Sequence, residues 1–525
     1  MRNMYYVDMH CHPAFKPYSW VLLNGKGSRH CRNVESSLWY NDPPKKRDRK
    51  LNRNWGLTRF RQSDFRTLTK GDVKIISACL SPIEIGLFMP RWPAKIFGFI
   101  LIKTITEASF KFIRLVRKKN RDYFKELEAE YEYYRCEERE QQKGTFPTLF
   151  KLTNNYEEIE PDLKGPNKDT IYVFFSIEGC HVFNNGGLKN ILEDKEAVKK
   201  NIQKVKKWKH PPLYVSIAHH LNNDLCGHAK SLPSILGWAV NQKKGMEEGF
   251  TDMGKEVLYE LLNKDNGRIF IDIKHMNVKS RIEYYKILDT ISDGKCIPVL
   301  VTHGAVNGRE SIEGKDKEKN NSGAIEMYQS EGQLGFYDGD INIFDNEIII
   351  MEKTGGFLGI QLDERRLCSA EQKKLGKRKK IRGEQLYHQA GLVWKQIRYI
   401  AEVLDEKGKF GWGTATIGSD YDGLVDPPNG YWTSDDFGIL EENLIHHAVE
   451  YFSKFTKVKQ PKNLPKQDED PDQAMAYIQE FAQEVIDLFM RGNAQRFLKE
   501  FFCRDARFPE NKEKDPTPEE AHMNE

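Results

Sequence analysis

The chain has 525 residues, of which 39% are hydrophobic and 30% are charged, as expected for a globular protein with a large core or two to three domains. Its 81 basic and 77 acidic residues leave a formal charge of +4. That near balance argues against nucleic acid or an anionic membrane as the main partner. The nine cysteines include no Cys-x-x-Cys pair, which disfavours a disulfide framework and favours a reducing compartment.

Two segments near the start of the sequence bear on where the protein is located in the cell. Met1–Met4 lead directly into an apolar run and leave no room for a secretory signal, so we expect a cytoplasmic protein. The most apolar stretch, 80–106, is interrupted by Pro90, Arg91 and Lys95. We therefore expect it not to span a bilayer.

Eight short apolar runs rich in β-branched and aromatic residues predict strands. They are Tyr5–Met9, Val73–Cys79, Ile171–Ile177, Leu213–Ala218, Arg268–Ile273, Ile297–Thr302, Gly356–Ile360 and Thr414–Gly418. Helical patterns lie between or after them, at Phe110–Glu140, Lys189–Lys206, Gly254–Asn263, Arg281–Ile291, Asn346–Lys353, Gln385–Glu406 and Leu440–Phe455. This alternation predicts the α/β class and a parallel (β/α)8 TIM barrel with large insertions and a C-terminal helical segment. The strands are continuously apolar, which fits burial on both faces.

Composition also suggests how the chain is divided. The predicted parts are a barrel over 1–457 with insertions at about 90–170 and 305–345, a linker over 458–470, C-terminal helices over 471–504 that pack on the barrel, and a disordered tail over 505–525. The basic segment Glu371–Arg382 is interpreted as a solvated loop or helix end, with contact to an acidic partner or a phosphate as the alternative. This segment and the helical segment 110–140 are also possible docking surfaces for a partner.

Metal-binding and proton-transfer residues follow six of the predicted strands. His10 and His12 end the first strand, and residues two apart on a strand point to the same side, so both imidazoles can bind one metal ion. The other strand-end residues are Glu178, His219, His275, His303 and Asp420. Catalytic groups of a parallel barrel lie at these carboxyl ends, so the pattern predicts a metal site. Each residue alone has a plainer interpretation, since a strand-end histidine is often structural and Asp-Tyr-Asp-Gly is often a turn.

The segments around these residues resemble the membrane (renal) dipeptidase family of the amidohydrolase superfamily. The matching segments are Asp8–His12, Ser176–His181, Leu213–His219, Ile271–His275, Pro298–His303, Gly355–Ile360, Ile417–Gly423 and Gly492–Phe497. They extend over nearly the whole chain as islands separated by insertions. The resemblance implies a barrel hydrolase of the metal-dependent type.

The resemblance also implies residue roles around two divalent metal ions, with zinc expected. The implied ligands are His10 and His12 for the first ion, His275 and His303 for the second, and Glu178 as a bridge between them. Asp420 would be the general acid and base, and His219 would polarise the scissile carbonyl or stabilise the tetrahedral intermediate. Imidazole and carboxylate are ligands that zinc prefers, and two nearby cations need an anionic bridge.

Two departures from the family pattern bear on the substrate. The first strand carries His-x-His where the dipeptidases usually carry His-x-Asp. The family's arginine for the substrate carboxylate lies shortly after the sixth-strand histidine, where Arg309 is the nearby basic residue in this chain. Without that anchor the substrate need not be a dipeptide. The family also has secreted, disulfide-linked and lipid-anchored members, unlike this chain.

Several further residues are interpreted as structural and not functional. They are His220, His228, His446, His447, Cys11, Cys180 and Cys226, together with the glycines Gly355, Gly356 and Gly359, which indicate close backbone approach. His181 is a candidate for substrate contact. Asp272 is a candidate for orienting a ligand imidazole, although it would face away from His275 on a strand.

These patterns lead to one functional prediction and two alternatives. We expect a metal-dependent, dipeptidase-like hydrolase that cleaves an amide or peptide bond in a small substrate with water activated by two zinc ions. The alternatives are other amidohydrolase chemistry (lactone or ester hydrolysis, or deamination) and a non-catalytic barrel that serves as a binding module. The expected partner is a dipeptide-like small molecule, with no nucleic acid, and the family resemblance makes a homodimer plausible.

Overall fold

The computed structural model has a mixed α/β architecture with parallel sheets. It describes residues 5–18, 36–89, 113–114, 116–117, 121–141, 148–163, 170–185, 194–232, 240–264, 267–291, 297–313, 335–379, 381–454, 471–503 and 507. The predicted linker 458–470 and much of both predicted insertions lie outside the described residues.

In the described part of the chain, nine strands form two parallel sheets. They are β1 (Tyr6–Cys11), β2 (Val73–Leu80), β3 (Leu149–Leu152), β4 (Thr170–Glu178), β5 (Tyr214–Ser216), β6 (Phe270–Asp272), β7 (Val301–Gly304), β8 (Leu358–Ile360) and β9 (Ala415–Ile417). One sheet has the order β1-β2-β4-β5-β6, with β3 paired to β4, and the other has the order β7-β8-β9. Eight of these strands coincide with the eight predicted runs. The ninth, β3, lies in the predicted insertion and was not predicted.

Two isolated parallel bridges join the ends of the two sheets. Asp272 at the end of β6 pairs with Leu300 next to β7, and Cys11 at the end of β1 pairs with Tyr421 beyond β9. The second junction includes the backbone hydrogen bond from the His12 amide to the Tyr421 carbonyl, at 2.8 Å. The carboxyl ends of strands from both sheets therefore lie next to one another.

The helices largely fill the connections between strands. They are α1 (Lys46–Trp55), α2 (Phe65–Lys70), α3 (Tyr123–Gln141), α4 (Glu160–Leu163), α5 (Lys195–Lys206), α6 (Asp252–Leu262), α7 (Val278–Thr290), α8 (Asp345–Lys353), α9 (Glu364–Leu367), α10 (Ala370–Arg378), α11 (Arg382–Glu406), α12 (Phe437–Lys454), α13 (Pro471–Asp487) and, after a π-helical turn at Leu488–Gly492, α14 (Asn493–Phe501). Among the described helices, none is long and apolar enough to cross a membrane.

The basic segment Glu371–Arg382, interpreted from the sequence as a solvated loop or helix end, is mostly helical and includes the end of one helix and the start of the next. Most of it belongs to α10, and Lys373 on that helix forms ion pairs with Asp426 and, at 3.5 Å, with Glu364. Both of those carboxylates are buried. The segment is therefore tied to the body of the protein through at least one of its lysines.

The C-terminal helices bind the loops that lead into the last strands. Asn493 donates hydrogen bonds to the carbonyls of Trp412 and Ala415, each at 2.8 Å. Arg496 donates to the carbonyls of Gly355 and Gly356 at 3.0 and 3.1 Å.

One residue of the predicted disordered tail, 505–525, is held by the fold. Arg507 is buried and donates a hydrogen bond to the Pro212 carbonyl at 3.1 Å. The amide of Arg268 in turn donates to the Arg507 carbonyl at 2.7 Å. The tail boundary was therefore predicted too early, and residues 508–525 lie outside the described part of the chain.

Candidate metal centre

The strand-end residues predicted as metal ligands meet at one place. His10 lies in β1 and His12 directly follows it, Glu178 ends β4, His275 lies three residues after β6, and His303 lies in β7. All five side chains are buried. The parallel strands bring their carboxyl ends to the same side of the sheets, so residues distant in the chain become neighbours.

Glu178 lies in the middle of the cluster, between two groups of imidazoles. Its Oε1 is 2.9 Å from Nε2 of His275 and 3.3 Å from Nε2 of His303. Its Oε2 is 3.4 Å from Nε2 of His12 and 3.4 Å from Nε2 of His219. One carboxylate therefore faces histidines from four different strand ends.

Asp420 approaches the same cluster from the turn after β9. Its Oδ1 lies 3.2 Å from Nε2 of His12 and 3.8 Å from Nε2 of His10. The two Nε2 atoms of His10 and His12 are 3.1 Å apart. Gln361, just beyond β8, donates a hydrogen bond to the other carboxylate oxygen at 2.7 Å, which fixes how the Asp420 carboxylate is turned.

The donor atoms fit a divalent cation. Three groups in this cluster have ligand atoms within 4.8 Å of one another, namely His10, His12, Cys79 and Glu178; His10, His303 and Asp420; and Glu178, His275 and His303. Imidazole and carboxylate are the usual protein ligands of zinc and similar ions. Glu178, His10 and His303 each belong to two of these groups. Neighbouring cations bound here would therefore share ligands.

The local electrostatics keep most of these imidazoles uncharged. Burial lowers the pKa of His10 and of His303 well below the usual value and lowers the pKa of His275 to about 3. Burial opposes ionisation of Glu178, but the surrounding histidines outweigh it and hold its pKa well below the usual value. Uncharged imidazoles and an ionised carboxylate are the forms that bind metal ions.

Cys79 is a candidate ligand that sequence reasoning did not name. It lies in β2, and its sulfur lies within 4.8 Å of ligand atoms of His10, His12 and Glu178. Burial raises the pKa of its thiol well above the usual value, so the thiol stays protonated and is a poor ligand unless a metal ion displaces the proton.

The buried carboxylate Asp272 was considered, from the sequence, as a group that orients His275. In the structure it instead reaches His10 and His303 through Thr302. It accepts a hydrogen bond from the Thr302 hydroxyl at 2.6 Å. That hydroxyl lies 3.0 Å from Nδ1 of His10 and 2.9 Å from Nδ1 of His303. Asp272 therefore helps to orient these two imidazoles through Thr302.

His219 is positioned by a residue that the sequence did not reveal. Glu84, four residues beyond β2, places Oε2 3.1 Å from Nδ1 of His219. Its carboxylate also accepts hydrogen bonds from the amides of His220 and Leu221, at 3.2 and 2.9 Å. Burial opposes protonation of His219, but Glu178 and Glu84 outweigh it and raise the pKa of His219 to about 9.

Two of the cluster residues have a left-handed backbone. The φ angle is +67° at His275 and +58° at Asp420, a region that non-glycine residues seldom adopt and that is enriched at functional sites. Gly423 follows in the same turn as Asp420. A Cβ atom there would lie 2.0 Å from Oδ1 of Asp420, so this position requires glycine.

A pocket opens beside the cluster. Glu178, His219, His275 and Asp420 line it together with three cationic residues, Lys274, Arg365 and Arg366. Sequence reasoning did not name these cations, because nothing in their spacing separates them from the many other basic residues of the chain.

Arg309, the basic residue that the sequence offered as a substrate anchor, lies elsewhere. It forms an ion pair with Asp340 at 3.3 Å and stacks over Phe344. It is not among the residues that line the pocket.

The remaining histidines that were weighed contact other groups. His181 donates to the Pro82 carbonyl at 2.8 Å, His228 to the Gln242 carbonyl at 3.0 Å, and His447 to the Tyr387 carbonyl at 2.8 Å. His220 contacts the Ser231 hydroxyl at 2.8 Å and also lines the pocket. His181 additionally groups with Glu84 and His219 as potential ligand atoms.

The cysteines that were weighed are buried free thiols. Cys11, Cys180 and Cys226 are all unpaired and inaccessible. Burial raises the pKa of each thiol, so none is activated as a nucleophile.

Three solved structures that are similar to this chain are metallopeptidases or dipeptidases. A metallopeptidase from Rhodobacter sphaeroides, described as liganded with a phosphinate mimic of the dipeptide L-Ala-D-Ala, is 12% identical with a TM-score of 0.48, and the alignment covers 95% of this chain and 99% of that one. A dipeptidase AC of metallopeptidase family M19 has the same identity, TM-score and coverage. The probable dipeptidase PvdM from Pseudomonas aeruginosa is 13% identical with a TM-score of 0.43, over 84% of this chain and 89% of that one.

These structures are of the same kind as the dipeptidase family that the sequence resembles. No protein-family model matches the chain, and no curated protein matches its sequence.

Proposed function

We propose that this protein is a metal-dependent hydrolase that cleaves an amide or peptide bond in a small substrate. The observation that carries the proposal is the position of Glu178. Its two carboxylate oxygens face His275 and His303 on one side and His12 on the other, which is the arrangement expected of a carboxylate shared by two cations.

We propose further that the two sheets form one closed (β/α)8 barrel. The parallel bridges between β6 and the approach to β7, and between β1 and the segment after β9, support closure. In such a barrel the carboxyl ends of the strands form a single rim, which is the usual place for an active site.

The proposed centre holds two divalent ions, with zinc as the expected metal. His10 and His12 would bind one ion, His275 and His303 the other, and Glu178 both. Bound cations of this kind would lower the pKa of a water molecule toward neutrality and polarise the scissile carbonyl. The uncharged state of His10, His275 and His303 supports their roles as ligands.

Asp420 is the proposed proton-transfer group. Its Oδ2 is held by Gln361, and its Oδ1 points toward His12 at 3.2 Å. In that position Oδ1 can accept a proton from the attacking water and return it to the leaving amine.

His219 is the proposed group that stabilises negative charge on the substrate. Its Nε2 faces the cluster, and its Nδ1 faces Glu84. The raised pKa of His219 favours the protonated form, which can donate a hydrogen bond to the carbonyl oxygen as charge develops there.

The proposal is tested by metal analysis and a substrate panel. We expect freshly purified protein to contain two divalent ions per chain and to hydrolyse dipeptides faster than esters, lactones or deaminase substrates. We expect Asp420→Asn to reduce kcat by about 100- to 10,000-fold, the usual contribution of proton transfer, while metal content is unchanged. Elemental analysis and steady-state kinetics measure both.

Asp435→Asn is the matched control, because Asp435 is an exposed aspartate outside the cluster. Protein without bound metal, or full activity of Asp420→Asn, would overturn the proposal. If an ester or a lactone is cleaved fastest, the assignment as a hydrolase stands, but the preferred substrate is not an amide.

A further inference from the structure

The lining of the pocket contains positive charges that the proposed reaction leaves unexplained. Lys274 lies two residues beyond β6, and Arg365 and Arg366 lie in α9, shortly after β8. All three line the same pocket as Glu178 and Asp420. The lining of the pocket therefore combines residues of the metal-ligand cluster with three basic side chains.

One of the three cations is already neutralised. Arg365 donates hydrogen bonds to both carboxylate oxygens of Asp363, at distances from 2.7 to 3.0 Å. This bidentate pair fixes the Arg365 guanidinium and uses the negative charge of Asp363. It leaves Lys274 and Arg366 as the charges to be balanced.

Among the described residues, neither Lys274 nor Arg366 forms an ion pair. Weaker attraction comes from Asp420 to both side chains and from Asp363 to Arg366. Lys274 donates to the amide oxygen of Gln361 at 3.2 Å, and the Arg366 guanidinium donates to the Ser231 carbonyl. Nε of Arg366 is buried without a hydrogen-bond partner among the described residues. A buried cation without a counter-charge is costly, so a ligand that supplies this charge would be bound strongly.

The carboxylates of the metal-ligand cluster are not a sufficient counter-charge. Glu178 faces four histidines, and Asp420 faces His12 and Gln361. Lys274 and Arg366 therefore line a space that an anionic ligand can occupy.

We propose that Lys274 and Arg366 form an anion subsite that binds a doubly charged group of the substrate, either a phosphate-type group or a pair of carboxylates. The identification of the ligand as the substrate rests on the proposed hydrolase function, whereas the anion subsite itself does not. Two cations match two negative charges, and the planar guanidinium of Arg366 suits the oxygen pairs of phosphate and carboxylate. A single carboxylate would leave one charge unbalanced.

The position of this subsite differs from the anchor that the family resemblance suggested. Arg309, which follows β7, is paired with Asp340 and does not line the pocket. Lys274 and Arg366 instead approach from β6 and from the segment after β8. Of these two arginines, only Arg366 is assigned to the anionic ligand.

The test is calorimetric titration of the metal-free protein with three anions at pH 7. Sulfate represents a tetrahedral dianion, malonate represents two carboxylates, and acetate represents a single carboxylate. We expect sulfate or malonate to bind at least 10-fold more tightly than acetate. Arg366→Gln and Lys274→Met should each weaken the binding of the preferred dianion at least 10-fold, whereas Arg309→Gln should leave it unchanged. The preference between sulfate and malonate identifies the class of group.

Circular dichroism of each variant separates loss of binding from loss of folding, and the two variants act on different elements. The proposal is overturned if no anion binds, if acetate binds as tightly as the dianions, or if Arg309→Gln has the effect expected of Arg366→Gln. Because this measurement needs neither metal nor turnover, it remains informative if the hydrolase function fails. Anion binding without hydrolysis would reject the proposed reaction and keep the subsite.

Discussion

At the scale of single residues, Glu178 and its neighbours explain why so many ionisable groups are buried together. An isolated buried carboxylate would be unfavourable, but Glu178 has an imidazole nitrogen within 3.4 Å of each of its oxygens. The histidines in turn are held by the hydroxyl of Thr302 and by Glu84. Each side chain therefore limits the positions available to the next.

His275 should make the metal-free protein sensitive to acid. Burial lowers its pKa to about 3 in the folded state, whereas an unfolded histidine has a pKa of about 6.5. Between these values the unfolded chain binds a proton that the folded chain does not, so stability from this group is full above pH 6.5 and is lost as the pH falls.

We expect the stability difference between the wild type and His275→Gln to shrink by up to about 1.4 kcal/mol per pH unit below 6.5. Urea denaturation of metal-free protein at several pH values measures it. His446→Gln, which changes an exposed histidine, should show no such slope. A pH-independent difference for His275→Gln would contradict the prediction.

Glu84 should affect the reaction through His219. In Glu84→Gln the carboxylate charge beside Nδ1 of His219 is lost, so the pKa of His219 should fall toward its usual value. We expect kcat to fall about 10-fold or more with little change in KM. The alkaline limb of the pH–rate profile should move about one unit toward lower pH.

The exposed Glu247 provides a control, since Glu247→Gln should leave the profile in place. If Glu84→Gln lowers kcat with no movement of the alkaline limb, Glu84 has only a structural role.

At the scale of elements, α10 shows how a run of like charges can be fixed to the fold. Lys373 forms ion pairs with Glu364 and Asp426, both of which are almost fully buried. Lys374, the next residue, is exposed. The helix is thus held on one side by charge pairing, while its other lysines face solvent.

Lys373→Met should destabilise the protein by about 3 kcal/mol, because it leaves two buried carboxylates without a cation. Chemical denaturation measures the change. Lys374→Met removes the same group from an exposed position and should change stability by less than about 0.5 kcal/mol. Equal effects of the two substitutions would show that α10 is held in some other way.

At the scale of the whole molecule, the C-terminal helices belong to the same folding unit as the sheets. Asn493 and Arg496 bond to the loops before β8 and β9, and the ring of Phe497 lies 4.6 Å from that of Phe357. Removal of these helices would expose the apolar side chains beneath them and leave several backbone carbonyls without donors.

We expect a chain that ends at residue 457 to be insoluble or to lack a cooperative thermal transition. A chain that ends at residue 510 keeps Arg507 and should melt like the full-length protein. Differential scanning calorimetry and gel filtration distinguish these results. A cooperative transition in the shorter chain would show that the helices are an independent addition.

The strands and the polar residues that meet at the candidate centre were predictable from the sequence because both are local signals. Each apolar run marks a strand, and the polar residue at its end, such as Glu178 or His303, is placed by the strand itself. Glu84, β3 and the cation pair Lys274 and Arg366 were not predicted. Their roles depend on contacts between residues far apart in the chain, which no local pattern encodes.

The junction between β1 and the turn after β9 has a consequence for biosynthesis. His12 emerges early during translation, whereas its neighbour Asp420 is synthesised about 400 residues later, which takes roughly 20 to 80 s at typical elongation rates. During that interval one edge of β1 has no partner strand, and unpaired edges favour misassociation. We therefore expect nascent chains to depend on chaperones until the segment after β9 has been synthesised.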